Sequence, residues 1–431
     1  MLLFSFKNVN LFYNHASNLY PIPHIVDINL PFSPILLLSF LTWVSIVLAL
    51  AAVASLAAAT FAGCGKSEGN GSSNTGSDVW KIGSIGPTTG TEAIYGNAVK
   101  NGASIAVDEI NKAGGINGYK IEFSFEDDQA DPELAANAYN ALKDKGTQIL
   151  LGTVTSGSCE AVVGLTAEDN MFQLTPSASA QSVIAGDNVF QVCFTNPSQG
   201  SASAQYIGEN KLATKVGIIY DSSDVYSTGV FEKFVEAAKS QDFEIVSTQS
   251  FTKDTKTDFS VQVQSCKDAG ADLVFLPIYY TEASLILTEA NSTGYNPIFF
   301  GCDGLDGIFG VKNFNKELAE GVMLLTPFSA DATDEKTVSF VKTYKELYND
   351  VPNQFAADAY DGVYVLKAAI EKAGLKPDAS VADVNEALKK AITEITVDGL
   401  TGAGMKWEAS GEVSKAPRAV VIKDGTYVSA K

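Results

Sequence analysis

The chain has 431 residues, of which 46% are apolar and 19% charged, a composition that suits a globular protein with room for two domains. Its 30 basic and 50 acidic residues give a net charge of −20, a surface that repels nucleic-acid phosphates and anionic headgroups and so argues against nucleic-acid binding. Both histidines, His15 and His24, lie in the first 63 residues and the only arginine is Arg418, so a chain processed after residue 63 lacks His-based acid/base chemistry, His-assisted nucleophiles, His-containing zinc sites and an arginine clamp.

Residues 1–63 contain one Lys and one Asp, and 34–63 carry no charge, which marks a membrane-directed segment. The run ILLLSFLTWVSIVLALAAVASLAAATFAG is long enough to span a bilayer. Ala58, Ala59, Ala62 and Gly63 before Cys64 also fit the small-residue end of a cleaved signal. FAGC resembles a bacterial lipobox, in which cleavage before the cysteine leaves Cys64 to carry lipid; Phe61 departs from the usual Leu. Residues 64–78, rich in Gly, Ser and Asn, read as a flexible tether. Removal of 1–63 leaves 29 basic and 49 acidic residues, again −20.

From residue 79 short apolar runs alternate with amphipathic stretches. WKIGSIGP, YKIEFSFEDD, QILLG and FQLTPS read as strands, and the segments between them show helical spacing, as at Val99, Ala103, Ala106 and Ile110. The alternation restarts with KVGIIYDSS, FEIVSTQSF, DLVFLPIYY, PIFFG and GVMLLTP. Helices are predicted over 334–348, 356–373 and 381–391, and the last stretch reads as a terminal hairpin with turns at SGE and KDGT. Two successive α/β units predict two lobes, each with a parallel sheet covered on both faces.

Ligands of open α/β sheets bind outside the carboxyl ends of strands. The segments there, 86–95, 153–158, 176–179, 221–226, 279–282 and 302–306, are rich in Ser, Thr, Tyr and Asp and hold no Lys or Arg. Such a rim suits hydroxyl and amide hydrogen bonds with a small negative bias. Besides Cys64 there are Cys159, Cys193, Cys266 and Cys302, without CxxC spacing, which read as isolated buried thiols or as one of three disulfide pairings. Asp127-Asp128 reads as a solvated strand end, and Asp306 as a turn or helix-cap residue.

The strand IGSIGPTTG, the block NKAGGINGYKIE with the following DDQADPELAA, and GTVTSGS, TPSASA, YDSSDVYSTG, PIYYTEA and FFGCDGLDG resemble the leucine/isoleucine/valine-binding proteins that serve ABC transporters, in order over 79–431. The resemblance implies the type I periplasmic-binding-protein fold: two doubly wound α/β lobes with parallel sheets, joined by three hinge crossings and closing over an amino acid. Lobe I would comprise 79–196 and 327–400, and lobe II 197–326 and 401–431. It implies that Ser156 and Ser179, with the backbone around Ser177, hold the ligand carboxylate, that Tyr279 and Asp303 hold its ammonium, and that Tyr95 and Tyr226 line the side-chain pocket. Asn196 would be a secondary contact. Pocket size would depend on Tyr95, Tyr226 and residues 355–360. The ligand would be leucine, isoleucine or valine, with no metal or cofactor. The protein would be a monomer, lipid-anchored outside the bacterial cell membrane, with permease and ATPase subunits as partners.

The residues themselves agree with this reading, since an enclosed zwitterion needs both charges satisfied. Each has a plainer alternative: Ser156 and Ser179 as helix caps, the tyrosines as rim aromatics, Asp303 before Gly304 as a turn residue. A sensing ectodomain of a receptor is a second reading of the same fold, weakened by a membrane segment that is only N-terminal. A carboxylate glycosidase is a third; it needs two facing acids, and only Asp303 is well placed.

Overall fold

Strands that are buried on both faces by helices must be apolar along their length, and the apolar runs after residue 78 form two such sheets. The computed structural model describes residues 78–430. The membrane-directed segment, Cys64 and all but the last residue of the tether lie outside the described residues. The first sheet contains β1 (Val79–Gly86), β2 (Lys120–Asp127), β3 (Ile149–Leu151), β4 (Phe172–Thr175) and β5 (Val189–Gln191), all parallel, in the order β2-β1-β3-β4-β5. The second contains β6 (Lys215–Asp221), β7 (Glu244–Phe251), β8 (Leu273–Leu276), β9 (Ile298–Gly301), β10 (Met323–Thr326), β11 (Arg418–Lys423) and β12 (Thr426–Ser429). Its order is β12-β11-β10-β9-β8-β6-β7, so β6 to β10 repeat the winding of the first sheet and β11 and β12 add an antiparallel edge. The strand order reverses between β1 and β3 and again between β6 and β8, the two places where a ligand crevice forms.

Helices α1 (Ala93–Lys112), α2 (Pro132–Asp144) and α3 (Ser156–Glu168) alternate with the first strands. The DPEL sequence starts α2 as expected: Asp131 accepts the N–H groups of Glu133 and Leu134, and Pro132 sits where no N–H is needed. Helices α4 (Asn196–Glu209), α5 (Val225–Ala238), α6 (Ser260–Asp268) and α7 (Tyr280–Ser292) belong to the second half. There Phe234 stacks on Phe275 at 4.0 Å, and Phe194, Ile207, Ile218 and Phe300 share its core. Helices α8 (Glu335–Tyr348), α9 (Gln354–Ala373) and α10 (Val381–Ile392) return to the first sheet, where α9 lies along α1. Gly102 permits that close crossing, since a Cβ there would strike the carbonyl of Ala356.

The chain thus passes between the lobes three times among the described residues, after β5, after β10 and before β11. Lobe II does not resume at residue 401, as the sequence suggested. Trp407 Nε1 donates to Gln191 O at 2.7 Å, Gln191 N donates to Gly411 O at 3.0 Å, and Trp407 pairs with Val413, so this segment hangs on the edge of the first sheet. The expected terminal hairpin is therefore two features: the SGE turn belongs to the first lobe and the KDGT turn joins β11 to β12. Strand β5 went unpredicted because only the 3-10 turn Gln181–Ile184 separates it from β4, breaking the β-α alternation. Asp128 is buried rather than solvated, and accepts the N–H of Ala130. The thiols of Cys159, Cys193, Cys266 and Cys302 are buried and unpaired. Among the described residues no helix is long and apolar enough to cross a membrane.

The third crossing is pinned by a buried ion pair. Lys415 Nζ lies 2.7 Å from Asp358 Oδ1 on α9 and 2.6 Å from Thr401 Oγ1, with both charged side chains fully buried. Lys415→Met leaves the Asp358 carboxylate buried without a counter-ion, a loss of about 3–5 kcal/mol. The paired change Lys415→Met with Asp358→Leu should recover most of it. Urea denaturation measures both, and a single variant as stable as the parent contradicts the assignment.

Candidate ligand-binding site

The two crevices face a common pocket lined by Tyr95, Ser156, Ser177, Ser179, Tyr226, Tyr279 and Asp303. The expected carboxylate, ammonium and side-chain residues are all there. Asn196, the expected secondary contact, is not among the lining residues. Val154, Thr155, Gly304 and Phe355 complete the wall.

The serine side is built at the end of β3 and the start of α3. Thr155 is the N-cap of that helix, its hydroxyl buried and without a partner. Ser156 follows as the first helical residue, and its Oγ accepts the N–H groups of Ser179 and Ala180, both at 3.2 Å. A hydroxyl has two acceptor sites and one proton, so with both acceptor sites taken the Ser156 proton is left to donate. The other two serines differ. Ser177 Oγ donates to Val154 O at 2.8 Å and Ser179 Oγ donates to Asn196 Oδ1 at 2.6 Å. Asn196 cannot be turned round, because its Nδ2 donates to Tyr226 O at 3.2 Å. Ser156 and Thr155 are therefore the hydroxyls free to donate to an anion, beside N–H groups at the start of α3 that have no partner within the helix. Ser179 and Asn196 instead form a strut from the first lobe to the start of α5.

Asp303 stands on the opposite lobe, just after β9. It is buried, and Oδ2 accepts from Gln199 Nε2 on α4 at 2.8 Å, while Oδ1 has no partner. Burial raises its carboxyl to about 7, against the neighbouring Tyr226 hydroxyl and the Gln199 hydrogen bond, which lower it. Gln199 escaped the sequence reading. Its signal was there: Asn196, Gln199 and Ser203 form a polar stripe at helical spacing on a face of α4 that is buried.

Aromatic rings bridge the two sides. Tyr226 stacks on Tyr279 at 5.2 Å with 7° between planes, and Tyr95 packs on Phe355 at 4.3 Å. Tyr95, from the first lobe, donates to Gly304 O on the second, while Gly304 N donates to Tyr226 Oη at 3.1 Å. Gly304 lies in the expected turn, the 3-10 turn Asp303–Leu305, and also serves close approach, since a Cβ there would lie 2.5 Å from Ile278 O and 2.9 Å from Tyr226 Oη. Asp306 caps a helix of the other lobe: its Oδ2 accepts the N–H of Gln354, the first residue of α9, at 2.8 Å.

An acid on one lobe, free hydroxyls on the other and rings between them define a two-lobed binding protein for a small polar-headed ligand. The chain belongs to the periplasmic binding protein family, whose model matches residues 79–426, which places it among binding proteins rather than enzymes. It is 31% identical over 303 residues to Leu/Ile/Val-binding protein homolog 3 of Brucella melitensis, covering 69% of this chain and 80% of that one. It is 27% identical over 314 residues to the leucine-, isoleucine-, valine-, threonine- and alanine-binding protein of Pseudomonas aeruginosa, covering 72% and 82%. Among solved structures, the branched-chain amino acid transporter substrate-binding protein of Streptococcus pneumoniae in complex with isoleucine superimposes with a TM-score of 0.74 at 28% identity, covering 82% of this chain and 99% of that one.

The burial of Asp303 has a pH signature. Folded, its carboxyl titrates near 7; unfolded, it titrates near 4, as a free Asp does, roughly. Between those values the folded state holds a proton that the unfolded state has released, so this group's contribution to stability falls as pH rises through the window. Relative to the parent, Asp303→Asn should therefore gain stability from pH 4 to pH 7, roughly, and stay level above it. Denaturant unfolding of both across that range checks it, and a constant difference contradicts it.

Proposed function

We propose that this protein captures a small aliphatic α-amino acid between its lobes and delivers it to an ABC transporter, with leucine, isoleucine or valine as ligand. The observation that carries the reading is the partnerless, buried Oδ1 of Asp303, in the same pocket as the free hydroxyls of Ser156 and Thr155. A zwitterion supplies what each side lacks. Its ammonium satisfies Asp303 through a charge-assisted hydrogen bond, with Tyr279 beside it. Its carboxylate accepts from Ser156, Thr155 and the N-terminus of α3, while Ser177 and Ser179 shape the backbone around it. Tyr95, Tyr226 and Phe355 enclose the side chain. The names of the relatives from Brucella, Pseudomonas and Streptococcus support this ligand class.

The ligand binds by joining the lobes: it meets hydroxyls on one and a carboxylate on the other, so its affinity for the closed form exceeds that for the open form and shifts the population. Lobe I comprises 79–196 and 327 to about 414, and lobe II 197–326 and about 415–430. The protein acts as a monomer outside the cell membrane, held there by lipid on Cys64 and passing ligand to permease and ATPase subunits.

Isothermal calorimetry against the twenty amino acids tests the central step. Leucine, isoleucine or valine should bind; Asp303→Asn should lose about 2–5 kcal/mol of affinity, roughly thirtyfold or more, without lowering the stability of the empty protein at neutral pH. Ser156→Ala should weaken binding by about 1.5–3 kcal/mol, the range for a hydrogen bond to a charged group. Absence of binding by any amino acid would overturn the reading. Labelling with a fatty-acid probe, lost in Cys64→Ser, tests the anchor.

A further inference from the structure

Outside the pocket, and sharing Thr155 and Tyr279 with it, lies a chamber of about 660 Å³ at the mouth of the cleft. Its walls come from both lobes and are acidic: Asp131, Glu160, Asp221 and Asp224 surround a closer grouping of Glu92, Glu282 and Lys256, and Lys253 is the other basic residue. Lys256 Nζ lies 3.0 Å from Glu282 Oε1 on its own lobe and 3.4 Å from Glu92 Oε1 on the first lobe. The lysine side chain is 29% exposed, but those of Glu92 and Glu282 are only 8% and 3% exposed, so both acids depend on that ammonium for a counter-charge.

Two features mark the arrangement as more than a surface ion pair. Glu92 is the N-cap residue of α1, yet its side chain makes no capping bond there. It receives the hydroxyl of Thr91 on Oε2 and turns Oε1 to Lys256. Glu282 sits in the first turn of α7, with Oε2 buried and partnerless. Closure therefore brings two carboxylates from facing helix starts towards each other, with one cation between them. Beside them Tyr280 Oη donates to Thr91 O at 2.7 Å and accepts from Ile94 N at 3.2 Å, holding the same two helix starts together. Although its partial burial works the other way, Glu282 and Glu92 raise the Lys256 ammonium above its ordinary value.

We propose that Lys256 is a positioning residue for ligand capture: its ammonium joins Glu92 of one lobe to Glu282 of the other when the lobes close, so that closure brings opposite charges together instead of two acids. This rests on the hinge-closure reading above. None of the three residues lines the ligand pocket, so their effect falls on how long the closed state lasts. Loss of a largely desolvated charge partner acts mainly on dissociation.

A double-mutant cycle tests the proposal, read by calorimetry and stopped-flow kinetics with whichever of leucine, isoleucine and valine the parent binds most tightly. Lys256→Met should weaken binding roughly ten- to hundredfold, chiefly through faster dissociation. Adding Glu92→Gln should restore most of the loss, because the repulsion across the mouth is then gone, and Lys256→Arg should retain most of the affinity. A Lys256→Met variant that binds as tightly as the parent, or a loss that Glu92→Gln leaves untouched, overturns the proposal. Zero-length carbodiimide coupling of the unaltered protein with that amino acid at saturation, read by peptide mass spectrometry, needs no variant. An amide between Lys256 and Glu92 supports the bridge; coupling of Lys256 to Glu282 alone, or to neither, overturns it. If the parent binds no amino acid the ligand reading fails on its own, and coupling of the empty protein then decides the bridge.

Discussion

Asp303 is taken out of water with a hydrogen bond to one carboxylate oxygen and none to the other, and its carboxyl is pushed to about 7 in consequence. A buried acid in that condition is costly to keep ionised. On the proposed reading that cost is removed by a cationic group entering the pocket: Gln199 fixes one oxygen, four aromatic rings line the wall, and the opposite lobe offers hydroxyl protons. An acid on one lobe and donors on the other make occupancy and closure one event on the proposed reading. No catalytic chemistry is needed for this.

The architecture makes that opposition possible by winding the same pattern twice. Each sheet reverses its strand order beside its first strand, and each reversal opens a crevice at the carboxyl ends of its strands. The loops after β3 and β4 bring the serines to one crevice, and the loops after β8 and β9 bring Tyr279 and Asp303 to the other. The crossings are tied down close by. Asn196 links Ser179 to the start of α5, Asp306 caps α9 from the other lobe, and the Lys415–Asp358 pair fixes the third crossing against the helix that carries Phe355.

The β-α alternation was legible because strands covered on both faces are continuously apolar, and the strand-end rule then pointed to the segments that meet in the pocket. What the sequence concealed was of four kinds. Strand β5 is three residues long and follows a 3-10 turn in place of a helix, so it lacked the alternation that revealed the others. The direction of each hydroxyl proton depends on partners distant in the chain, which is why Ser156 and Thr155 could not be told from Ser177 and Ser179. Trp407 reaches back 216 residues to Gln191, which moves the third crossing past residue 401. Gly304 was legible as a turn residue, but the close approach of Tyr226 and Ile278 that its lack of a side chain permits comes from other segments.

On the proposed reading the empty pocket holds a proton on Asp303 that a ligand ammonium displaces. Calorimetric titration near pH 6.5, repeated in buffers of different ionisation enthalpy, counts that proton directly, because roughly a fraction of one proton must leave as a carboxyl titrating near 7 becomes fully ionised. Net proton release is expected on binding leucine, isoleucine or valine, diminishing as pH rises above the carboxyl's range and absent in any residual binding by Asp303→Asn. Binding without proton release, or release that persists in Asp303→Asn, would contradict it.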